Sequence, residues 1–351
     1  MSTLARMSAL KARGHNVRLV SLNPLGALSS RLAAEGIPAS GLQYRGRWGW
    51  KSIPAMWREF RALPADAIFM HGPNVSAMLA LGLICKGRRI LGVHFHHTGV
   101  KPRLSWYLLY LLASKVFQYV TFPTQFIRQE AIRIYPRIEA MSGVVPNHFD
   151  VEELPPASQR RLARESLGIP LSARVVGNAG WLIPRKRFDV FLETAQKLSG
   201  RFPDIVFLIA GDGPLRAELQ RQAVDLGISD RVRWLGWQQD LGPFYQSLDV
   251  LLFNTDWDAL GRTPIEALAA GVPTVASVIN GGLAEMVTPD ECGYLLDRHD
   301  TDWLADRTAE LLERPEVGTR MVETMRARLK ELCNPSVELA CLEKVIASIQ
   351  G

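Results

Sequence analysis

The sequence predicts an α/β protein built from two doubly wound, parallel-sheet units. Three observations carry that expectation. Helical and strand-like apolar patterns alternate along almost the whole chain, the signature of parallel sheets with crossover helices. The 351 residues exceed the size at which one core keeps growing, so two units of roughly 150 to 180 residues are expected. A Pro- and Ser-containing stretch at 151–173 separates two such runs of alternation.

In the first run, a helix over 3–13 stops at Gly14, a residue suited to a helix C-terminus. There follow a strand at 17–22, a helix at 29–35, a short strand near Leu42, a helix at 54–63 and the strand Ala-Ile-Phe-Met-His ending at His71. A helix at 76–83, a strand at 89–96, a long helix from Leu104, a strand at 118–122, a helix at 124–135 and a strand at 141–146 complete it. The connection at 151–173 contains a basic helix, Gln-Arg-Arg-Leu-Ala-Arg-Glu-Ser-Leu. The second run holds strands at 173–180, 204–210, 232–236 and 249–253, with helices at 188–198 and 215–226. A helix then follows the 258–266 turn, another strand follows the break at Pro273, and helices are expected at 302–312 and 317–332. Pro335 precedes a terminal helix. The expected division is 1–150, 151–334 and a terminal helix at 335–351.

The net charge of +6 suits an anionic ligand or an acidic membrane surface and is too modest to point to nucleic acid. Cys85, Cys292, Cys333 and Cys341 form no CxxC pair and have no metal-ligand spacing, so neutral thiols in a reducing cytosol are expected. No signal peptide and no apolar run of the roughly 20 residues needed to span a bilayer is evident, which reads as a cytoplasmic protein. Residues 101–115 mix an apolar helix face, aromatic residues and flanking cations, and Arg45, Arg47, Trp48, Trp50, Lys51, Trp57 and Arg58 form a second basic, Trp-rich cluster. A buried helix and a polar loop give the same pattern. The functional reading is peripheral contact with an anionic membrane that carries a lipid-linked acceptor.

Chemistry concentrates at 253–277, FNTDWDALGRTPIEALAAGVPTVAS. Two carboxylates, Asp258 and Glu266, flank a Gly261-Arg262-Thr263 turn that opens a helix. The turn follows an apolar strand and so lies at the carboxyl end of a parallel sheet, where open α/β folds bind ligands. Exposed N–H groups and the helix dipole favour an anion there. Upstream, the run Gly177 to Asp189 also follows a strand, with small residues for close backbone approach and three cations, Arg185, Lys186 and Arg187, able to face a pyrophosphate.

The segment D-A-L-G-R-T-P-I-E-A-L-A-A-G-V-P resembles the signature of the family 4 type of retaining glycosyltransferase, Glu-x7-Glu closed by E-A-x-A-x-G-x-P, with Asp258 in place of the first Glu. The resemblance implies the GT-B fold, two Rossmann-like domains facing a cleft. It further implies that Asp258 contacts the donor sugar, that Gly261, Arg262 and Thr263 meet sugar and phosphate, and that Glu266 binds the ribose hydroxyls. Against the family pattern G-R-L-x-P-x-K-G, Gly180 opens the loop, Lys186 takes the place of the phosphate-binding Lys, and Trp181 stands where the family has Arg. Arg185 or Arg187 are the candidates to supply that charge. Gly211-Asp212-Gly213-Pro214 matches the G-x-G-P turn, Trp237 lies in the loop that meets the nucleobase, and Asn280-Gly281-Gly282 opens the counterpart of the G-G-x-x-E turn.

In the first domain, His71 and the group His94, His96 and His97 close strands. The family places one His at the end of the second of these strands, pointing toward the transferred sugar; counting back from Lys101 favours His96, with His94 and His97 the other candidates. His71, His94, His97 and Asn147, of the V-P-N-H-F-D segment, stand on the acceptor side. Three His in four positions also resemble a metal site, but no neighbouring carboxylate or Cys completes one. Asp256-Trp257-Asp258 spells the D-x-D of metal-dependent transferases; the D-x7-E pattern and the two α/β halves place Asp258 otherwise. Family members begin with a strand and a Gly-rich turn before the helix ending R-G-H-x-V, whereas this chain opens inside that helix, so the first strand of the first sheet is expected to be missing.

Together these readings imply a metal-independent, cofactor-free retaining transferase. Its donor is a nucleotide diphosphate sugar, and its acceptor a hydroxyl of a saccharide or lipid-linked saccharide in glycan or cell-envelope biosynthesis. His96, Asp258 and Lys186 would carry the chemistry. A non-catalytic nucleotide-sugar-binding protein and a nucleotide-sugar 2-epimerase share the same fold and are the alternatives.

Overall fold

The computed structural model describes residues 2–26, 28–42, 52–62, 65–85, 89–93, 103–147, 149, 151 and 154–348. The chain forms two compact units, Met1–His148 with Cys333–Gly351, and Phe149–Leu332.

In the first unit, α1 (Ser2–Ala12) ends as expected at Gly14, whose φ of 88° and whose N–H to Lys11 O bond of 2.9 Å close the last turn. β1 (Leu19–Ser21) pairs in parallel with β2 (Ala39–Gly41) across α2 (Leu28–Ala34). A second parallel sheet contains β3 (Ala67–His71), β4 (Arg89–Val93), β5 (Tyr119–Phe122) and β6 (Ser142–Val144), in that spatial order. Its crossovers are α4 (Val75–Ile84), α5 (Arg103–Val116) and α6 (Gln125–Ile134), with a short 3-10 helix at Pro136–Met141; α3 (Ile53–Arg61) precedes β3.

The alternation predicts one continuous sheet here. Among the described residues the sheet is divided instead: no ladder joins β1 and β2 to the other four strands, and β3 pairs only with β4. The side chains of Met56, Met78, Leu91, Tyr110, Phe122, Ile127 and Ile138 fill this unit's interior, at roughly 1.5–3 kcal/mol for each large side chain removed from water. The terminal helix α15 (Pro335–Ser348) belongs to this unit and is tied to α1 by a buried ion pair between Arg6 and Glu338.

The second unit is a six-stranded parallel sheet of β7 (Arg174–Ala179), β8 (Ile205–Ala210), β9 (Val232–Gly236), β10 (Val250–Thr255), β11 (Thr274–Val278) and β12 (Tyr294–Leu296). The spatial order is β12-β11-β10-β7-β8-β9. The chain therefore winds outward from β7 in one direction and then returns to start again at β10, leaving a topological switch point between the carboxyl ends of β7 and β10. Helices α8 (Phe188–Arg201), α9 (Arg216–Asp225), α11 (Arg262–Ala269), α13 (Thr301–Glu313) and α14 (Pro315–Leu332) match sequence-predicted helices. The short elements α10 (Gly242–Ser247), α12 (Leu283–Met286) and β12 are too brief to show a period of their own.

The basic helix α7 (Ala157–Ser166) is part of this second unit. Arg164 is buried and donates to the carbonyls of Ser247, Leu171 and Ala173 and to Asp249. Its cationic composition thus serves to satisfy carbonyls at the base of β10.

Candidate functional site

The loops that leave β7, β8 and β9 are joined by backbone bonds at the carboxyl edge of the sheet. Gly180 N–H donates to Ala210 O (2.9 Å), Gly211 N–H to Gly236 O (2.7 Å) and Leu182 N–H to Asp212 O (3.0 Å). This row explains Gly211: its φ is 140°, and a Cβ on it would lie 1.9 Å from Gly180 O. The G-x-G-P match is therefore a device for close backbone packing. Gly213 N–H is capped by the Asp212 carboxylate at 2.8 Å. Trp181 and Trp237, the residues that follow Gly180 and Gly236, are 64% and 73% exposed.

At the switch point the structure brings Lys186 and Asp258 together. Lys186 comes from the 3-10 turn after β7 (Pro184–Lys186), Asp258 from the loop after β10, and they form an ion pair with side-chain exposures of 13% and 20%. The ammonium also lies 5.0 Å from the centroid of the Phe253 ring. Asp258 Oδ1 accepts from the N–H groups of Gly261 (3.1 Å) and Leu260 (3.4 Å). Burial pushes this carboxyl upward, but the Lys186 charge, the hydrogen bond from Lys186 and the two amides outweigh it and hold Asp258 below the usual carboxylate range.

Of the Gly261, Arg262 and Thr263 turn, which the resemblance sets toward sugar and phosphate, the Gly261 N–H donates to the Asp258 carboxylate, so the protein's own side chain meets one of its amides. The loop is held from its other side too: Asp258 forms a parallel bridge with Gly281, its N–H donates to Asn280 O (3.0 Å), and its carbonyl accepts from Gly282 N–H (3.3 Å). Thr263 Oγ1 donates to Ala179 O (3.2 Å), which fixes the first turn of α11 against the end of β7.

Glu266 stands one turn further along α11. Its Oε1 accepts from Arg262 Nε (3.1 Å) and Nη2 (2.9 Å), and its Oε2 accepts from the Tyr245 hydroxyl (3.1 Å). Arg262 also lies over the Phe149 ring, 5.1 Å from its centroid. Burial, followed by the neighbouring Glu266 charge, drives the Tyr245 hydroxyl well above its ordinary range, so it remains a proton donor. Tyr245 escaped sequence reasoning because nothing in the pattern of the short helix α10 marks one aromatic residue as a partner of a carboxylate 21 positions on.

The two arginines beside Lys186 have different fates. Arg185 stacks over Trp257 (5.5 Å to the ring centroid), and its carbonyl accepts from Asp256 N–H and Thr255 Oγ1, each at 2.9 Å. Arg187 pairs with Asp189 (2.8 Å) and Asp256 (3.2 Å). Both carboxylates of the D-x-D segment are thus met by cations of the preceding loop. Asp256 is also 2.9 Å from His299 Nε2, a second residue without a sequence signal. Among the described residues, no group of three or more His, Cys, Asp or Glu is arranged to hold a metal ion.

In the first unit, His71 at the end of β3 has Arg6 Nη1 within 3.4 Å of both ring nitrogens, and Arg6 Nε donates to Glu338 at 2.8 Å. Desolvation, then the Arg6 charge, lowers the His71 pKa to about 4, so the ring is neutral near pH 7. Asn147 Oδ1 is shielded and accepts no hydrogen bond among the described residues. His94, His96 and His97 lie outside the described residues, as do Lys101 and, of the Trp-rich cluster, Arg45, Arg47, Trp48, Trp50 and Lys51.

Comparison with known proteins gives a consistent result. Residues 159–328 match the family described as glycosyl transferases group 1, and residues 3–153 match glycosyltransferase family 4. The UDP-Gal:alpha-D-GlcNAc-diphosphoundecaprenol alpha-1,3-galactosyltransferase of Escherichia coli is 31% identical over 263 residues, covering 72% of this chain and 67% of that protein. The D-inositol 3-phosphate glycosyltransferase of Corynebacterium urealyticum is 36% identical over 201 residues, covering 54% of this chain and 47% of the relative. At this level of identity the chain spans about half the length of the curated relatives it matches. Among solved structures, Anabaena HepE in complex with UDP and glucose superposes with a TM-score of 0.84 at 19% identity, over 99% of this chain and 96% of that one. The fold is therefore GT-B.

Proposed function

Because the chain belongs to the family of group 1, family 4 type glycosyltransferases, we propose that it moves a sugar from a nucleotide diphosphate sugar to a hydroxyl of a saccharide or lipid-linked saccharide, with retention at the anomeric carbon. The observation that carries this reading is the pairing of Lys186 with Asp258 at the switch point, in the loop that leads into the helix bearing Glu266. An ammonium has three N–H donors, and Asp258 takes one of them. Lys186 then bridges the leaving diphosphate and the carboxylate that orients the sugar, so that charge developing on the phosphate meets a cation already in place. Glu266, held by Arg262 and Tyr245, retains lone pairs for ribose hydroxyls. Titration calorimetry with UDP, GDP and ADP, followed by mass spectrometry of transfer from the matching sugar nucleotides to a polyprenyl-diphosphate sugar, tests the proposal. Binding and transfer are expected. Binding without transfer or donor breakdown would leave a nucleotide-sugar-binding protein.

A lipid-linked acceptor is supported by the surface of α4 and α5 and by the alpha-D-GlcNAc-diphosphoundecaprenol in the name of the Escherichia coli relative. Val75, Leu79 and Leu83 form an exposed stripe at i, i+4 and i+8 on α4, and Leu104, Tyr107 and Leu108 are exposed on α5. Residues 67–129 contain seven Lys and Arg and no Asp or Glu, so this apolar face lies in a purely cationic stretch of sequence. Anionic lipid is the complementary partner, at about 1 kcal/mol for each cation near the surface. Flotation with phosphatidylglycerol vesicles is expected to carry the protein upward. Leu83→Asp with Leu108→Asp should abolish this, and failure of the unaltered protein to float removes the membrane reading. Among the described residues, no helix is long and apolar enough to cross a membrane.

A further inference from the structure

Resting on the donor-site reading of Lys186 and Asp258, we infer that Arg187, Asp256 and His299 form a positioning clamp that sets the distance between the two loops of that site. Each loop at the switch point contributes to two ion pairs. The loop after β7 supplies Lys186 and Arg187; the loop after β10 supplies Asp258 and Asp256. The Asp256 N–H to Arg185 O bond of 2.9 Å ties the same loops through their backbones. The Lys186–Asp258 pair has to remain free to meet a donor, whereas the Arg187–Asp256 pair, although more exposed (30% and 44% against 13% and 20%), is built into the sheet through a third residue.

That building-in is visible in His299. Its side chain is only 9% exposed, its Nε2 is 2.9 Å from Asp256 Oδ1, and its Nδ1 is 2.7 Å from Ser277 Oγ. Ser277 is fully buried and accepts from Asn254 Nδ2 at 2.8 Å, and these two residues are register partners on β10 and β11. The order of donors follows. Asn254 donates to Ser277 Oγ, Asp256 can only accept, so Nε2 carries the proton that points at Asp256, and Ser277 Oγ and Nδ1 share the hydrogen bond between them. A chain of hydrogen bonds thus runs from β10 and β11, through His299 in the loop after β12, to the loop that bears Asp258.

Arg187 adds an independent sign. Its backbone is left-handed, φ 45° and ψ 45°, a conformation that disfavours an L side chain. A turn selected for conformation alone is best served by Gly. Arg at this point binds Asp189 through Nε (3.0 Å) and Nη2 (2.8 Å) and Asp256 through Nη1 (3.2 Å), so its side chain offsets the strain while joining the loops.

The test uses the full chain and whichever of UDP, GDP and ADP it binds most tightly. His299→Ala should weaken that nucleotide by about tenfold, the scale of losing a group that supports a ligand-binding residue. His299→Gln retains an N–H at the reach of Nε2 and should recover most of the loss. Arg187→Gly relieves the left-handed backbone, so its melting temperature should hold or rise while nucleotide affinity falls several-fold. Wild-type affinity in His299→Ala or in Arg187→Gly overturns the clamp, as does failure of Gln to rescue. If the unaltered protein binds none of the three nucleotides, the donor-site reading is what fails. Hydrogen exchange then decides the clamp itself: it predicts faster exchange at 256–261 in His299→Ala with β8 and β9 unchanged, and unchanged exchange at 256–261 overturns it.

Discussion

Lys186→Met is expected to reduce sugar transfer by about 10² to 10³-fold, the loss typical of removing one preorganised group that stabilises developing charge. The same change strips Asp258 of its counter-charge while leaving it buried among the Gly261 and Leu260 amides. Two effects are therefore mixed in this variant, and pH separates them. In the unaltered protein Asp258 lies below its ordinary value of 3.8, so the stability it contributes is fully present above that value and is lost as pH falls through the lower, folded one. Without Lys186, burial becomes the dominant influence and raises the carboxyl. A raised acid is protonated in the fold while still ionised in the unfolded chain, so stability should now fall as pH rises from about 3 to 6, the span in which carboxyls titrate. Melting curves across that span check the inversion. The double variant with Asp258→Asn should regain stability without regaining transfer. Transfer at the unaltered rate in Lys186→Met would sink the assignment of Lys186 to the diphosphate.

Glu266→Ala is expected to weaken nucleotide binding by about 10 to 100-fold, given about 1.5–3 kcal/mol for a hydrogen bond to a charged group. The structure adds a consequence that the spacing alone does not give. Glu266 is the acceptor for the buried Tyr245 hydroxyl and the ion-pair partner of Arg262, so its removal leaves a buried donor unpaired, at about 1–3 kcal/mol. Tyr245→Phe deletes that donor without touching the carboxylate. It should cost less affinity than Glu266→Ala, and adding it to Glu266→Ala should restore part of the lost stability. Calorimetric titration and thermal melts of the three variants read both quantities. Undiminished nucleotide affinity in Glu266→Ala would remove Glu266 from the ribose.

Much of the second unit was legible in the chain because its signals are local. The strand 205–210 is an unbroken apolar run bounded by Asp and Gly, 250–255 opens with the apolar run 250–253 after Asp249, and α8 and α13 carry a helical period over three or more turns. The D-x7-E spacing reports which residues share the start of one helix, and it located Asp258, Gly261 and Glu266 at the end of β10. The first unit was less faithfully legible. Its alternation gave the elements, but a pattern of periods says nothing about which strands share a ladder, and the division between β1–β2 and β3–β6 appears only in the hydrogen bonds.

The sequence by itself determined the fold class, the lengths of the longer elements, and the identity of the charged residues at the ends of β7 and β10. Tertiary structure alone decided how those charges are spent. Strand order sets β10 beside β7, with β8 and β9 intervening only in sequence, so Lys186 meets Asp258 across 72 positions and Asp256 meets both Arg187 and a histidine 43 positions further on. It likewise places Tyr245 under Glu266 and seats Asp258 on the Gly261 amide. The reason is physical: apolar periodicity is written into neighbours along the chain, whereas a charge in a low-dielectric site is governed by whichever group the packing brings within a few ångströms of it.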